Sequence, residues 1–311
     1  MQNRRHFIRN IALTAGSVIA GPSLAEAANY FNPLKLTILH TNDVHSRIDP
    51  FPMDGGRNQG LGGVAARGEL IRKIRAEEEQ VLLLDAGDIF QGTPYFNFYK
   101  GEPEIKAMSA MGYDACTIGN HDFDAGMENL ASQLNRNANF PMLVSNYDFS
   151  NTPMEGRTQP YKIIKKGKLK IGVFGTGIEL HGLVPDNLYG NTKYLDPVGK
   201  SNEMAGLLKK ERKCDMVICL SHLGYRYTGS NKISDEILAR ETENIDLIIG
   251  GHTHTFMEHP VTIKNKKGND TVINQVGFAG INLGRLDFEF SKFSSKKMTN
   301  FNTITVSKKS A

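Results

Sequence analysis

Gly119-Asn120-His121-Asp122 follows directly on the apolar run Tyr113 to Ile118. The run predicts a short buried strand, so the polar residues fall at the point where that strand ends. Open α/β sheets bind their ligands outside the carboxyl ends of the strands. A single polar turn after a strand is usually no more than a solvated turn. The stretch therefore indicates a functional site only if other strands of the chain end in the same way.

Four other apolar runs do end in this way, and they begin at Leu36, Val81, Met216 and Leu247. The polar side chains that follow them are, in chain order, Asp43 and His45, Asp85 and Asp88, His222, and His252 and His254. Five predicted strands thus deliver carboxylate, amide or imidazole groups to one edge. Such repetition is hard to obtain by chance, and it predicts a shared site.

The types of side chain at this edge indicate a site for two metal ions. Imidazole, carboxylate and amide oxygen without thiolate favour manganese, iron or zinc. Two such ions, roughly 3.5 to 4 Å apart, can share a bridging hydroxide and stabilise the attacking and leaving oxygens of a phosphoryl transfer. Cations that close together need a shared carboxylate, and Asp88 is the candidate.

Five motifs of the chain resemble those of the calcineurin-like metallophosphoesterases. More narrowly, they resemble the N-terminal catalytic domain of the 5'-nucleotidase family, which includes UDP-sugar hydrolases and 2',3'-cyclic-nucleotide phosphodiesterases. The resemblance extends from about Leu34 to about Phe290, with the motifs in the order of the family. They are Leu39 to His45, Asp85 to Asp88 with Gln91 to Pro94, Gly119 to Asp124, Ser221 to Gly224, and Gly250 to Thr255.

The resemblance implies two divalent metal ions (manganese, zinc or iron) that share Asp88. The implied ligands are Asp43, His45, Asp88 and His254 for one ion, and Asp88, Asn120, His222 and His252 for the other. His121 is expected to be catalytic, placed beside the ions to stabilise charge on the phosphoryl group or to protonate the leaving oxygen. Asp124 is expected to orient His121, in preference to Asp122. The residues that bind the substrate are not assigned.

Strands alternate with amphipathic helices along the chain, which predicts an α/β fold. The expected architecture is the four-layer αββα sandwich of the metallo-dependent phosphatases, with two mixed sheets face to face and helices outside. Helices are expected over residues 62–78, 102–111, 126–135, 196–210 and 234–241, and a hairpin over 161–174. The tail segments 261–263, 271–276 and 284–290 are expected to be antiparallel strands that close the second sheet. A last edge strand is expected after residue 291.

The N-terminal segment 1–27 is predicted to be a signal peptide. It has a basic start, a short apolar run from Ile11 to Ala20 and an Ala25-Glu26-Ala27 cleavage site. Arg4-Arg5 followed by Phe7 and Ile8 favours a twin-arginine (Tat) leader, and the alternative is an ordinary Sec leader. Residues 28–311 would then form a periplasmic catalytic domain. No cysteine lies near the cleavage site, so no lipid anchor to the membrane is expected.

The charge of the chain argues against a nucleic-acid partner. The net charge is +4, of which the leader's three arginines and one glutamate supply +2, leaving about +2 for the other 284 residues. Three cysteines, Cys116, Cys214 and Cys219, are an odd number that lies in or beside predicted buried strands. They are therefore expected to be apolar core residues rather than disulfide partners or metal ligands.

Aromatic residues just beyond Asp88 allow two interpretations. They are Phe90, Tyr95, Phe96, Phe98 and Tyr99. They could form a stacking platform for a base or sugar, or they could pack a loop and a helix start against the domain. His181, in a long irregular stretch, could likewise be a surface residue or reach the substrate.

The predicted function is that of an exported phosphoesterase dependent on two metal ions, acting on a small phosphate ester such as a nucleotide. Full-length 5'-nucleotidases carry a second domain that binds the base and ribose, and this chain stops where that domain would begin. A separate polypeptide that supplies such a C-terminal domain is therefore an expected partner. The alternatives are an enzyme that resembles the sulfur-oxidation thiohydrolases, or a metal-binding module without turnover. The intact pair His121 and Asp124 argues against the module.

Overall fold

The computed structural model describes residues 33–230, 232–291 and 296–310. The predicted leader, residues 1–27, lies outside the described residues. Within the described ranges, no helix has the length and apolar composition needed to cross a membrane.

The strands follow the predicted alternation with helices. In chain order they are β1 (Leu34–Thr41), β2 (Val81–Asp85), β3 (Ala115–Thr117), β4 (Met142–Leu143), β5 (Tyr147–Asp148), β6 (Tyr161–Lys166), β7 (Leu169–Thr176), β8 (Lys193–Tyr194), β9 (Met216–Ser221), β10 (Leu247–Gly250), β11 (Val261–Lys264), β12 (Asp270–Asn274), β13 (Asn282–Phe290) and β14 (Lys297–Thr305). The helices are α1 (Val64–Glu77), α2 (Pro94–Tyr99), α3 (Glu102–Met111), α4 (Gly126–Asn137), α5 (Asp186–Tyr189), α6 (Pro197–Gly206) and α7 (Asp235–Glu241).

The described strands form two six-stranded mixed sheets and a two-stranded ribbon of β5 and β8. The first sheet has the order β14-β13-β1-β2-β3-β4, in which β1 to β4 are parallel neighbours and β13 and β14 are antiparallel. The second has the order β11-β12-β10-β9-β7-β6, with a parallel centre and antiparallel edges. Parallel neighbours need crossover connections, and helices supply most of them.

Three apolar clusters of buried residues produce the four layers. One lies between the sheets and joins Leu36, Leu82 and Leu84 of the first sheet to Ile218 and Ile249 of the second. A second packs helices α1, α3 and α4 on the outer face of the first sheet. A third packs α6 and α7 on the outer face of the second. Each central strand is buried on both faces, which explains its continuous apolar sequence. The predicted αββα sandwich is confirmed.

The prediction for the C-terminal strands is wrong in part. Segments β11 and β12 do belong to the second sheet, but β12 runs parallel to β10. β13 instead returns to the first sheet, where it pairs antiparallel with β1 over residues 34–40, and β14 pairs with β13. This return covers the edge of β1, a strand whose unpaired backbone groups would otherwise be exposed. The alternation of apolar residues predicts a strand but carries no information on which sheet receives it.

Two smaller differences concern a helix and the cysteines. The helix that was expected over residues 196–210 is α-helical to Gly206 and continues as a π-helical turn over Leu207–Glu211. Asp196 caps its start, because its carboxylate accepts hydrogen bonds from the backbone N–H groups of Val198 and Gly199. The three cysteines are buried and free, as predicted.

Gly175, near the end of β7, lies where the two sheets approach each other closely. A Cβ atom at this position would lie 1.9 Å from the carbonyl oxygen of Leu143 in the first sheet and 2.6 Å from Thr117 Oγ1. The gap is bridged by Ser145, whose backbone N–H and Oγ donate to the carbonyl of Gly175 at 2.9 and 2.8 Å. Only glycine allows the sheets this spacing next to the strand ends that carry the predicted site.

Gly175→Ala should therefore lower the free energy of unfolding by about 3 kcal/mol, the upper range for overpacking, because the atom it meets is backbone. Gly206→Ala is the matched control, since a Cβ atom there meets nothing within 4 Å. In that helix alanine should stabilise by about 0.5–1 kcal/mol. Denaturant unfolding of both variants measures the difference, and equal effects would contradict the close approach of the sheets.

Candidate metal centre

The loops that follow β1, β2, β3, β9 and β10 meet at one edge of the sandwich. β1, β2 and β3 are parallel to one another, as are β9 and β10, so within each sheet their carboxyl ends point to the same side. The loops after β1 and β2 are joined by backbone hydrogen bonds, including Asp43 N to Gly87 O at 2.9 Å and His45 N to Asp88 O at 3.1 Å. Residues far apart in sequence are thereby held in one place.

The first group of side chains that could hold a metal ion consists of Asp43, His45, Asp88 and His254. Each offers one ligand atom, and these atoms all lie within 4.8 Å of one another. The Nε2 atoms of His45 and His254 are 3.0 Å apart, and His254 Nε2 is 3.4 Å from Asp43 Oδ1. Two imidazole nitrogens that face each other this closely are typical of ligands that converge on one cation.

The second group consists of Asp88, His222 and His252, within the same limit of 4.8 Å. His222 Nε2 lies 3.1 Å from Asp88 Oδ2. This nitrogen is fully buried, yet it has no partner in hydrogen-bond geometry among the described residues. Asn120 adjoins the group, because its Oδ1 is 2.8 Å from His252 Nδ1. A buried polar atom without a hydrogen bond calls for a ligand, and a metal ion fits these donors.

Two of the histidines are kept in the neutral form that metal binding requires. Burial lowers the pKa of His252 to about 3 and also lowers the pKa of His45. Burial opposes the protonation of His222 as well, but the negative charge of Asp88 outweighs it and raises the pKa of His222 to about 10. A proton on His222 thus balances the Asp88 carboxylate, and a bound cation would take over that role.

Five of these residues have a backbone conformation that non-glycine residues rarely adopt. The φ angles are 49° at Asp43, 50° at His45, 55° at Asp88, 70° at His252 and 50° at His254. Each such residue costs of the order of 1–3 kcal/mol and persists only where its surroundings hold it. Strain of this kind clusters at functional sites.

Asp122 is one of the groups that hold the strained loops. Its buried carboxylate accepts hydrogen bonds from the backbone N–H groups of Asp88, Ile89, Phe90 and Gly119, at 2.8 to 3.2 Å. Gly119 leaves room for Asp88 next to it, because a Cβ atom at residue 119 would lie 2.1 Å from Asp88 Oδ1. The sequence makes Asp122 the less favoured candidate for orienting His121. The structure places its carboxylate under the loop that follows β2.

His121 lies at the rim of the centre and belongs to neither group. Its Nδ1 is 2.9 Å from Asp124 Oδ2, and its side chain is 38% exposed. The hydrogen bond to Asp124 raises the pKa of His121, against the effect of partial burial. Its backbone N–H donates to Asp88 Oδ1 at 2.8 Å, which fixes its position relative to the shared carboxylate. The geometry is that of an imidazole oriented by Asp124 and open to solvent on its other side.

Asp85, which the sequence places with the strand-end polar residues, lies beneath the centre. Its carboxylate accepts from Thr41 Oγ1 at 2.5 Å and from Gly87 N at 2.9 Å, and burial raises its pKa to about 7.

Asn42 and Gln275 are further buried groups that contact the metal-centre loops, and neither was predicted. Asn42 Nδ2 donates to Asp43 Oδ2 at 2.6 Å. An isolated buried amide gives no signal in a single sequence.

The aromatic residues beyond Asp88 differ in exposure, so packing against the domain does not explain all of them. Phe90 and Phe96 are buried and stack in the core with ring centroids 5.4 Å apart. Phe98 is 79% exposed and Tyr99 57%. Packing therefore accounts for the first pair but not for the second. His181 is exposed, and its Nδ1 lies 3.9 Å from Oδ1 of Asp186, the first residue of α5.

The sequence model of the calcineurin-like phosphoesterases matches residues 36–256, which include every residue of both groups. The chain belongs to this family. A snake venom 5'-nucleotidase from Gloydius brevicauda is 34% identical over 318 aligned positions, covering 96% of this chain and 52% of the relative. The 5'-nucleotidase of Vibrio cholerae is 36% identical, covering 96% of this chain and 56% of the relative.

A similar solved structure is that of a 5'-nucleotidase precursor from Thermus thermophilus. It superposes with a TM-score of 0.78 at 29% identity, covering 89% of this chain and 56% of that chain. The family resemblance predicted from the motifs is thus confirmed. The chain spans about half the length of the curated relatives it matches.

Asp88→Asn tests the shared position of Asp88 in the two groups. Asp88 is common to both groups, so its replacement should lower the metal content of each. His254→Ala should affect the first group more than the second, because His254 belongs to the first group alone. Metal content after dialysis against manganese measures both variants. Retention of two ions by Asp88→Asn would contradict the shared carboxylate.

Proposed function

We propose that the chain is a metal-dependent phosphoric ester hydrolase of the 5'-nucleotidase type, acting on nucleotides or related small phosphate esters. The observation that carries the proposal is the pair of metal-capable groups that share Asp88, with the His121 and Asp124 pair beside them. Its support lies in the family membership and in relatives named 5'-nucleotidase.

The proposed centre holds two divalent ions, manganese, zinc or iron. One ion would take Asp43, His45, Asp88 and His254, and the other Asp88, Asn120, His222 and His252. Bound ions would supply Lewis-acid chemistry, which activates water and neutralises charge on the phosphate. The donor set supports these ions, since nitrogen ligands and carboxylates without thiolate suit intermediate divalent cations. The supply of each metal in the cell, rather than the geometry of the site, would then decide whether manganese, zinc or iron is bound.

His121 is proposed as the residue that handles the leaving group. Its imidazole is 38% exposed and oriented through Nδ1 by Asp124, so its Nε2 would meet the substrate. As an imidazolium it would donate a proton to the departing oxygen or stabilise charge that develops on the phosphoryl group. The hydrogen bond that His121 Nδ1 donates to Asp124 raises the pKa of His121 and favours this protonated form.

The proposal also places the activity in the periplasm. It rests on the segment 1–27, whose twin arginines and small-residue cleavage site suit a Tat leader, with residues 28–311 as the exported domain. Export of a folded chain would let the metal ions be inserted before the chain crosses the membrane. A separate polypeptide that carries a C-terminal nucleotidase domain stays part of the proposal as the source of further substrate contacts.

His121→Ala should lower turnover by about 100-fold or more, the usual loss for a positioned acid, while the metal content stays unchanged. Asp124→Asn should give a smaller loss, because the imidazole remains but its orientation and charge are less well supported. Metal content and steady-state rates distinguish the two effects. Lys200→Ala, in the surface pair of Lys200 with Glu203 on α6, serves as a control that should leave both unchanged. Loss of metal from His121→Ala would show that His121 is a ligand.

The substrate class is tested by hydrolysis of five esters by the mature chain with added manganese: AMP, UDP-glucose, 2',3'-cyclic AMP, p-nitrophenyl phosphate and bis-p-nitrophenyl phosphate. Faster turnover of AMP or UDP-glucose than of the artificial esters would support nucleotide recognition by this domain. Slow reaction of the artificial esters alone would place that recognition on a partner polypeptide. No reaction with any ester, in a chain that binds manganese, would overturn the enzymatic proposal in favour of a binding module.

A further inference from the structure

The loop that carries His252 and His254 is held from both sides by one buried side chain. That side chain is Gln275, which directly follows β12 and is fully buried. Its Nε2 donates a hydrogen bond of 2.6 Å to the carbonyl of Gly251, just before His252. Its Oε1 accepts from the backbone N–H of Thr255, just after His254. One amide thus spans the segment that contains both histidines.

Further contacts tie the middle of the same loop to Gln275. Thr253, between the two histidines, donates from Oγ1 to Gln275 Oε1 at 3.2 Å. The Oγ1 atoms of Thr253 and Thr255 are 3.0 Å apart. In addition, Thr255 O accepts from Gly277 N at 3.0 Å. The loop is therefore supported on the side away from the metal centre by β12 and the residues that follow it.

Such support is needed because His252 and His254 both have left-handed backbone angles, with φ of 70° and 50°. A loop of three residues with two such angles would relax to other conformations if its flanking groups were free. The amide of Gln275 satisfies one donor and one acceptor of the buried backbone at the same time, which neither an apolar residue nor a shorter one can do.

We infer that Gln275 is a positioning residue that sets the arrangement of His252 and His254, and through them the affinity for both metal ions. The inference rests on the proposed metal centre, in which the two histidines serve different ions. Within the part of the chain that the structure describes, the hydrogen bonds of the Gln275 side chain go to Gly251, Thr253 and Thr255 and not to a histidine ring. It acts through the backbone groups that flank the histidines, much as the outer hydrogen-bond partners of metal ligands tune affinity.

Gln275→Met tests the inference, because methionine has a similar length but neither the donor nor the acceptor. We expect both manganese dissociation constants to rise by about tenfold, the lower range for loss of an outer partner. They are measured by calorimetric titration of the metal-free protein. The visible absorption of the cobalt(II)-loaded protein reports the ligand geometry independently, and it should change in this variant.

Asn274→Leu is the matched control, since Asn274 is the neighbouring buried amide on the same chain segment. Its Nδ2 lies 2.9 Å from His40 Nε2, a residue of β1 and not of the histidine loop. This variant should lose thermal stability, as Gln275→Met should, but should keep both dissociation constants. Equal stability losses with unchanged constants in both variants would overturn the inference and leave Gln275 a structural residue.

Two further results complete the test. If Gln275→Met does not fold, Gln275→Asn keeps a buried amide that is too short to span from Gly251 to Thr255, and it should raise both constants in the same way. A rise in only one constant would overturn the claim that Gln275 serves both ions. Binding of fewer than two manganese ions by the unaltered chain would count against the proposed centre itself, whatever the variants show.

Discussion

The shared position of Asp88 is the constraint on which the rest of the structure depends. Asp88 belongs to both groups, and the side chains that surround it come from both sheets. Asp43 and His45 come from the loop after β1, whereas His222, His252 and His254 come from the second sheet. The two sheets must therefore lie at a fixed spacing where their strands end. Gly175 provides that spacing, because any side chain there would hold the sheets apart.

The second consequence of this constraint is backbone strain at the ligands. Loops that turn sharply enough to aim Asp43, His45, Asp88, His252 and His254 inward adopt left-handed angles. Asp122 and Gln275 hold the backbone of the loops after β2 and β10, and Asn42 holds the carboxylate of Asp43. The candidate ligands are held by hydrogen bonds from residues that are not themselves candidate ligands. The rigidity of the centre comes from these groups.

The sequence predicts much of this arrangement, for reasons that can be stated physically. Central strands buried on both faces appear as continuous apolar runs, so the ends of the strands and the polar residues beyond them are visible. Except for Asp85, the structure brings those residues together, and the His121 ring bonds to Asp124. The five motifs, which occur in the order of the family, predict the family and its four-layer sandwich.

Other features depend on tertiary contacts that leave no local pattern. The apolar alternation of residues 282–290 is the same whichever sheet the strand joins, so the pairing of β13 with β1 could not be predicted. Asp85 and Asp88 follow the same strand, yet one is buried beneath the centre and the other lies within it. Gln275 lies some 20 residues from the loop it supports, and only the fold reveals the contact.

The division of the proposed ligands between the sheets determines when the centre can exist during folding. Each ion would draw on the first sheet and on the second, so neither half of the chain carries a complete site. The members span residues 43 to 254, and the later ones are synthesised long after the first sheet's early strands. Metal capture would then be a late event that follows the docking of the two halves. Bound ions would therefore indicate that the two sheets of that chain had already docked.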